Sequence, residues 1–179
     1  MRILGKEVLY KSRYLNLVGI RFIDKSGQEG TWYSAERSNG GKTVVIAALL
    51  DNKLVVTREY RVPIQDYEWA LPAGLVDGEE LPEETAEREL KEETNLDLIS
   101  ISGKTPFLYN TAGMTNEMVS IVYGHARGTI GQTGNEQTEE IQSFLMDEKQ
   151  LLEIVNDGNN KISAKAYLIF GRFIKGDLW

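Results

Sequence analysis

Three glutamates are spaced so that a helix would carry them on one face: Glu89, Glu92 and Glu93. Positions three and four residues apart are neighbours on a helix surface, at about 100° of rotation per residue. Carboxylates at that spacing repel one another, and only Arg88 and Lys91 offset the six acidic residues between 83 and 93. A hard divalent cation that takes oxygen ligands would relieve the repulsion. The pattern predicts a metal site, and the alternative is an acidic helix that is simply solvated.

The helix that would carry these glutamates begins at a recognisable position. Pro82 suits a first helical residue, because its fixed φ fits there and its missing N–H would be unbonded anyway. Glu83 and Glu84 place negative charge in the first turn, where the helix dipole favours it. The sequence therefore predicts a helix that starts at Pro82 and runs through the three glutamates.

The stretch from Gly74 to Leu96 resembles the Nudix box, with the pattern Gly-x5-Glu-x7-Arg-Glu-Leu-x-Glu-Glu-x-x-Leu. The box is the signature of hydrolases that cleave a nucleoside diphosphate linked to another moiety. One position departs from it: Asn95 stands where the family has a glycine. That glycine would end the helix in a left-handed conformation, and Asn is the next best residue there.

The resemblance implies a role for each acidic or basic residue of the box. Arg88 lies about 100° around the helix from Glu89 and is expected to orient the glutamates rather than contact substrate. Glu80 is expected to hold the preceding loop to the helix. The implied cation is Mg²⁺, with Mn²⁺ as the alternative. The implied ligands are the carboxylates of Glu89, Glu93 and Glu92 and the backbone carbonyl of Ala73.

A general base is expected in a loop well after the box, just before a late strand. In this chain that region is 135–141. Alignment on Ile141, the apolar residue that opens the strand, favours Glu139, which is also a candidate metal ligand. Glu136 is the second choice and Glu140 the third. The alternative interpretation of all three is a polar, solvated loop.

Three further stretches resemble the branch of the family that hydrolyses ADP-ribose and nucleotide sugars. Trp32 matches a base-stacking tryptophan, and Arg37, five residues on, matches a substrate-contacting arginine. Arg61 is the phosphate-contacting candidate of the second stretch, and Arg58 is the weaker one. The third stretch is Leu-Pro-Ala-Gly, residues 71–74. The alternative for Trp32 is the packing of a half-buried strand.

One position departs from the pattern of the ADP-ribose enzymes in this branch. ADP-ribose enzymes usually carry a proline sixteen residues past the box, and here that position is Ala112, followed by Gly113, which keeps the turn. The first candidate reaction is hydrolysis of ADP-ribose to AMP and ribose 5-phosphate, with GDP-mannose or a UDP-sugar as the alternative. The branch typically exchanges its N-terminal strands across a homodimer, which would make Tyr14 a second stacking aromatic.

Two other function classes compete with this interpretation. The chain could hydrolyse nucleoside triphosphates or dinucleoside polyphosphates, although such enzymes tend to lack the N-terminal strands with Trp32 and Arg37. It could instead be a non-catalytic Nudix domain that binds a nucleotide sugar as a regulatory sensor. Such domains usually lose box glutamates and carry a DNA-binding extension, whereas Glu89, Glu92 and Glu93 are all present here.

Composition excludes several classes of site and partner. A net charge of −7 and a pI near 4.9 argue against a nucleic-acid partner or an anionic membrane surface. The chain has no cysteine, so a thiolate zinc site and a disulfide framework are excluded. The single histidine, His125, is expected to be structural. The N-terminus lacks the apolar run of a signal peptide, so we expect a soluble cytoplasmic protein.

The strands and helices that must position these residues are predicted from the sequence pattern. Residues 1–37 are expected to form an antiparallel β appendage and 38–179 a Nudix domain. The resemblance implies that this domain is of the α/β (α+β) class, an α/β/α sandwich with a mixed sheet. Thr43–Leu50 is a nearly continuous apolar run, as in a strand covered on both faces. The other expected strands are Ile3–Tyr10, Leu15–Ile23, one from Thr31, Lys53–Tyr60, Glu68–Leu71, Leu98–Tyr109, Glu117–Ala126 and Glu139–Met146, and the later helices are Glu148–Val155 and Ser163–Ile174.

Overall fold

The computed structural model describes residues 1–38, 40–131 and 140–178. The chain divides into two units, the first formed by Met1–Thr43 with Pro106–Ser120 and the second by Val44–Thr105 with Ile121–Trp179. The first unit therefore groups the N-terminal strands with residues 106–120, a segment that sequence patterns did not associate with them. The predicted domain boundary after residue 37 stays a prediction.

The first unit contains a three-stranded antiparallel sheet in the order β1-β2-β3. Its strands are β1 (Arg2–Lys11), β2 (Leu15–Ile23) and β3 (Glu29–Arg37). The register places Lys6 opposite Ile20, and Ile20 opposite Trp32. The loop at 110–117 lies along β3, where the Ala35 N–H donates to the Met114 carbonyl at 2.9 Å. This contact brings the segment after the box to the strand that carries Trp32.

The larger sheet is mixed, with the strand order β12-β6-β5-β4-β10-β8. Strand β11 pairs with β5, β7 with β4, and β9 with β10. All neighbours with a described register are antiparallel except β12 and β6, which are parallel. The strands are β4 (Lys42–Leu50), β5 (Lys53–Arg61), β6 (Asp66–Ala70), β7 (Ala73–Leu75), β8 (Asp97–Lys104), β9 (Leu108–Tyr109), β10 (Met118–Arg127), β11 (Ile141–Met146) and β12 (Lys161–Ile162).

The α-helices of the described residues are α1 (Pro82–Thr94), α2 (Glu148–Asn156) and α3 (Ala164–Ile174). Pro82 is the first residue of α1, as predicted. The prediction for Asn95 is also confirmed, because it follows α1 in the left-handed region with φ 64° and its N–H donates to the Lys91 carbonyl at 2.9 Å. In the described ranges, no helix is long and apolar enough to cross a membrane.

The core of the second unit forms around the apolar run that was predicted to be covered on both faces. Residues 44–48 of β4 and 54–56 of β5 are almost completely buried. Helix α1 contributes Ala86 and Leu90, both with no exposed surface. Burial of each large apolar side chain stabilises the fold by roughly 1.5–3 kcal/mol. This packing holds α1 in a fixed position against the sheet, so its polar face also has a defined direction.

The predicted fold class is confirmed, but one predicted strand is wrong. Leu98–Tyr109 was expected to be continuous, whereas β8 ends at Lys104 and only Leu108–Tyr109 pairs again, as β9. Pro106 explains the break, because a proline has no N–H for the ladder and restricts the residue before it. Two short strands, β7 and β12, were not predicted, since two or three residues show no periodicity.

Candidate metal centre and substrate groove

Helix α1 directs two of the predicted glutamates at the backbone of Ala73 and Gly74, where the box begins. The Ala73 N–H donates to Glu93 Oε2 at 3.4 Å. A β-carbon at Gly74 would overlap the Glu89 carboxylate. The Glu89 carboxylate therefore occupies space that only a glycine leaves open. Both acids thus meet the same short strand, β7.

Arg88 holds this arrangement together from the side of the helix. Its Nη1 donates to Glu89 Oε1 at 2.7 Å and to Glu92 Oε2 at 3.3 Å. Its Nη2 donates to the Leu75 carbonyl at 3.0 Å. These bonds tie the glutamate face of α1 to β7 and fix the Glu89 rotamer. The contacts are those expected of a residue that orients the glutamates.

Glu80 anchors the loop before α1 to the helix. Arg88 donates to both Glu80 oxygens, from Nε at 3.1 Å and from Nη2 at 3.0 Å, and the Thr85 hydroxyl donates at 2.9 Å. The pKa of Glu80 is lowered to about 2, mainly by the hydrogen bonds from Arg88 and to a smaller extent by the hydrogen bond from Thr85. The same pairing raises the pKa of Arg88. Both groups are therefore charged at neutral pH, and Glu80 bonds with Arg88 rather than facing a cation.

The residues at Ala73–Gly74 fit a hard divalent cation. Carboxylate and carbonyl oxygens are the ligands that such cations prefer, and Glu89 and Glu93 both lie against the backbone that carries the Ala73 carbonyl. Across the described ranges no three Asp, Glu, His or Cys side chains form a ready-made cation site. The predicted ligand set includes three described carboxylates, those of Glu89, Glu92 and Glu93, and they do not converge as such a group in this structure. Its other members are the Ala73 carbonyl and Glu139, which lies outside the described residues.

The sheet face that packs against α1 can be identified from one hydrogen bond. Ser143 on β11 donates through Oγ to the backbone carbonyl of Glu93 at 2.7 Å. Ser143 is opposite Thr57 on β5, so the two side chains share this face. Side chains alternate along a strand, which places positions 59 and 61 of β5 on the same face. Arg61 therefore lies on the side of the sheet that carries the candidate metal centre.

The two arginines of β5 consequently have different surroundings. Arg61 donates through Nη1 to Glu59 at 2.6 Å and through Nε to Glu68 at 3.4 Å. Arg58 lies on the opposite face, with its guanidinium carbon 4.5 Å from the centre of the Tyr67 ring. This geometry favours Arg61 over Arg58 as a phosphate contact, in the order that the sequence suggested.

Of the three candidates for the general base, only Glu140 lies in the described part of the chain. Its carboxylate accepts a hydrogen bond from the Tyr67 hydroxyl, and its carbonyl accepts one from the Tyr60 N–H. The bond to Glu140 is the main cause that raises the pKa of Tyr67. Tyr67 is on the face opposite α1, so the Glu140 side chain is held away from the candidate metal centre. Glu136 and Glu139 lie outside the described residues.

Within the first unit, Trp32 lines a groove of about 310 Å³. Its indole Nε1–H donates to the Gly113 carbonyl at 2.9 Å, which fixes the ring, yet the side chain remains half exposed. Ala112, the position that lacks the expected proline, lines the same groove. The residues that line it are Ile20, Trp32, Ser34, Glu36, Tyr109, Ala112, Thr115 and Asn116.

Arg37 and Tyr14, also predicted to contact substrate, do not line this groove. Arg37 donates through Nε to Glu117 Oε2 at 2.5 Å. Arg37 lies five positions after Trp32. Because this offset is odd, a regular strand directs the two side chains to opposite faces. Tyr14 is exposed, with the Arg13 guanidinium 5.0 Å from its ring centre. The structure thus brings Trp32 together with Gly113, but not with Arg37 or Tyr14.

Sequence patterns missed two acidic residues of the first unit. Glu36 lines the groove and Glu117 pairs with Arg37. The alternation along β3 could have indicated Glu36, since residues 32, 34 and 36 share one face of a strand. No local pattern could have indicated Glu117, which lies 80 residues from its partner.

Comparison with known proteins identifies relatives. Residues 41–166 match the model of the NUDIX domain family. The chain is 33% identical over 120 residues to the ADP-ribose pyrophosphatase of Saccharomyces cerevisiae, covering 62% of this chain and 52% of that protein. It is 33% identical over 91 residues to the ADP compounds hydrolase NudE of Escherichia coli, covering 51% of this chain and 48% of that protein. The chain thus matches about half the length of these two relatives.

A solved structure matches nearly the whole chain. The crystal structure of an ADP compounds hydrolase superposes with a TM-score of 0.73 and covers 97% of this chain and 94% of the other. The two sequences are 22% identical, so this likeness concerns the fold. It agrees with a mixed sheet accompanied by helices and with an additional small antiparallel sheet.

Proposed function

This chain belongs to the Nudix hydrolase family, and from that premise we propose that it hydrolyses the diphosphate bond of a nucleoside diphosphate sugar. ADP-ribose is the first candidate substrate, and its products would be AMP and ribose 5-phosphate. The observation that carries the proposal is the placement of Glu89 and Glu93 against the backbone of Ala73 and Gly74. The names of the yeast and bacterial relatives support the substrate class.

The proposed ligands of a divalent cation are Glu89, Glu93, Glu92 and the Ala73 carbonyl, with Glu139 completing the set. Mg²⁺ is the proposed ion and Mn²⁺ the alternative. When bound, such an ion would neutralise charge that develops on the diphosphate oxygens and would lower the pKa of a water molecule. The contribution of Arg88 is positional, because it orients Glu89 and Glu92 through Nη1.

The proposed substrate contacts separate into a base part and a phosphate part. The half-exposed Trp32 ring is fixed by Gly113 and can stack on a flat base. Arg61 lies on the α1 face of the sheet, and a guanidinium suits the oxygens of a diphosphate. Arg37 is the second proposed phosphate contact. To bind a phosphate, it must replace its hydrogen bond with Glu117 by one with the substrate.

The general base is proposed to be Glu139. Replacing Glu139 and Glu136 one at a time tests which of the two acts as the base. Glu139→Gln is expected to lower kcat by about a hundredfold, because proton transfer by a positioned base contributes about that much or more. Glu136→Gln should change kcat less than about tenfold. Steady-state hydrolysis with saturating Mg²⁺ measures both. A larger loss in Glu136→Gln would assign the base to Glu136.

A panel of substrates with Mg²⁺ tests the proposed activity itself. We expect ADP-ribose to be hydrolysed to AMP and ribose 5-phosphate. Chromatography measures the release of the two products. The panel also includes GDP-mannose and UDP-glucose, because Ala112 lines the groove where ADP-ribose enzymes carry a proline. NADH, diadenosine polyphosphates and dGTP test the competing hydrolases. Hydrolysis of dGTP without hydrolysis of any diphosphate sugar would contradict the proposal, and binding without any hydrolysis would favour a regulatory sensor.

The proposed partner in solution is a second copy of this chain. All ten residues of β1 are exposed, among them Ile3, Val8 and Tyr10. In the described part of the chain β1 pairs only with β2, so its other edge is open to strand pairing. Sedimentation velocity of the full chain is expected to give a dimer, and Val8→Glu should shift it towards monomer. A wild-type protein that is monomeric at micromolar concentration would contradict the proposal.

A further inference from the structure

The groove beside Trp32 contains one charged side chain among its described lining residues, Glu36. Its side chain is 19% exposed and lies on the same face of β3 as Trp32 and Ser34. An ionised carboxylate can accept hydrogen bonds but cannot donate them. The groove therefore contains a fixed acceptor beside the aromatic ring.

Lys6 determines where this carboxylate points and balances its charge. Its Nζ donates to Glu36 Oε2 at 2.8 Å and to Oε1 at 3.1 Å. Lys6 is opposite Ile20 in the register, and Ile20 is opposite Trp32, so the three residues form one row across the sheet. The pairing draws the Glu36 carboxylate towards the Trp32 row. It also offsets the negative charge that would otherwise repel an anionic nucleotide.

The donors next to Glu36 are already engaged with the protein. The Trp32 Nε1–H donates to Gly113, and the Ser34 hydroxyl donates to the Met114 carbonyl at 3.1 Å. The remaining polar lining groups, the Tyr109 and Thr115 hydroxyls and the Asn116 amide, each contain both a donor and an acceptor. Each Glu36 oxygen has lone pairs beyond the one that Lys6 uses. A ligand group that meets Glu36 must therefore bring a hydrogen-bond donor.

We propose that Glu36 accepts a hydrogen bond from the exocyclic amino group of a base stacked on Trp32, and so selects amino-bearing bases over their oxo counterparts. The inference rests on the proposed function, in which this groove holds the base. A carbonyl oxygen at the same place would face the carboxylate with no proton between them. The loss of one hydrogen bond to a charged group corresponds to roughly a ten- to hundredfold change in affinity.

Equilibrium binding tests the inference without requiring hydrolysis. Titration calorimetry compares AMP with IMP, which carries an oxo group in place of the amino group. The wild type is expected to bind AMP at least about tenfold more tightly. Glu36→Gln should reduce that preference to about threefold or less, because an amide can donate to the oxo group. Equal affinity of the wild type for both nucleotides, an unchanged preference in the variant, or no detectable AMP binding would overturn the inference.

Three controls separate this role from structural damage, from the effect of the Lys6 charge and from contact with the ribose. Glu29→Gln removes a carboxylate that pairs with Arg21 on the same sheet and does not line the groove, and it should retain the wild-type preference. Lys6→Met should weaken both AMP and IMP and keep their ratio. With 2′-deoxy-AMP, Glu36→Gln should lose as much affinity as it loses with AMP. If the variant instead becomes indifferent to the 2′-hydroxyl, Glu36 contacts the ribose and the inference is wrong.

Hydrolysis of ADP-ribose and of its inosine counterpart gives a second readout. The ratio of kcat/KM should follow the ratio of AMP and IMP affinities in every variant. If no diphosphate sugar is hydrolysed while AMP binds with the expected preference, the proposed activity fails and the role of Glu36 stands. If hydrolysis occurs with no effect of Glu36→Gln on the ratio, the role of Glu36 fails and the activity stands.

Discussion

Glu93→Gln is expected to lower kcat for a diphosphate sugar by about ten-thousandfold, a barrier increase of about 5.5 kcal/mol. The amide is close in size to the carboxylate, and its oxygen can still accept the N–H of Ala73 that now bonds Glu93. The fold should therefore be retained, while the negative charge that would hold a divalent cation is removed. Steady-state kinetics with Mg²⁺ measure the loss, and calorimetry with Mg²⁺ or Mn²⁺ alone measures ion affinity without substrate.

A matched control for this variant lies on the same helix. Glu87 is exposed on α1 and is not among the proposed ligands. Glu87→Gln removes the same charge from the same helix and should change kcat less than about twofold. If Glu93→Gln retained activity close to that of the control, Glu93 would not be a metal ligand, and the assignment of the site to this face of α1 would fail.

The α1 site was predictable because its geometry is local. Helical rotation alone brings Glu89, Glu92 and Glu93 to one face, and Pro82 and Asn95 mark the ends of the helix by their backbone preferences. The covered strand β4 was predictable for a similar reason, since an apolar run of that length has to be buried on both sides. Local rules failed where Pro106 interrupted a pattern that otherwise continued, and for the short strands β7 and β12, which show no periodicity.

The groove beside Trp32 was less predictable because its contacts are distant in sequence. Trp32 bonds to Gly113 across 81 positions, and Arg37 bonds to Glu117 across 80. Spacing along the chain suggested that Trp32 and Arg37 act together, but strand alternation directs them to opposite faces. The same alternation on β5 separates Arg61 from Arg58. Resemblance in sequence thus identified candidate residues, and strand geometry decided which of them share a surface.

Gly74 shows how the two levels combine. The sequence pattern of the box shows only that this position is a glycine. Backbone conformation does not explain it, because Gly74 is not among the residues with positive φ. The structure supplies the physical reason for it: the Glu89 carboxylate occupies the place of a β-carbon. The glycine is therefore needed for the position of a side chain fifteen residues away along the chain.

Gly74→Ala is accordingly expected to lower kcat by about a thousandfold with little loss of stability. The new methyl group would overlap the end of a flexible side chain rather than backbone, so Glu89 should swing away and the fold should adapt. Displacing one proposed ligand would remove several kcal/mol of transition-state stabilisation. Kinetics with Mg²⁺, ion binding and thermal unfolding together measure the effect, and Tm should fall by only a few degrees. Gly103→Ala is the control, because a β-carbon there meets nothing within 4 Å. If Gly74→Ala matched this control in kcat, the Glu89 position would not matter for the reaction.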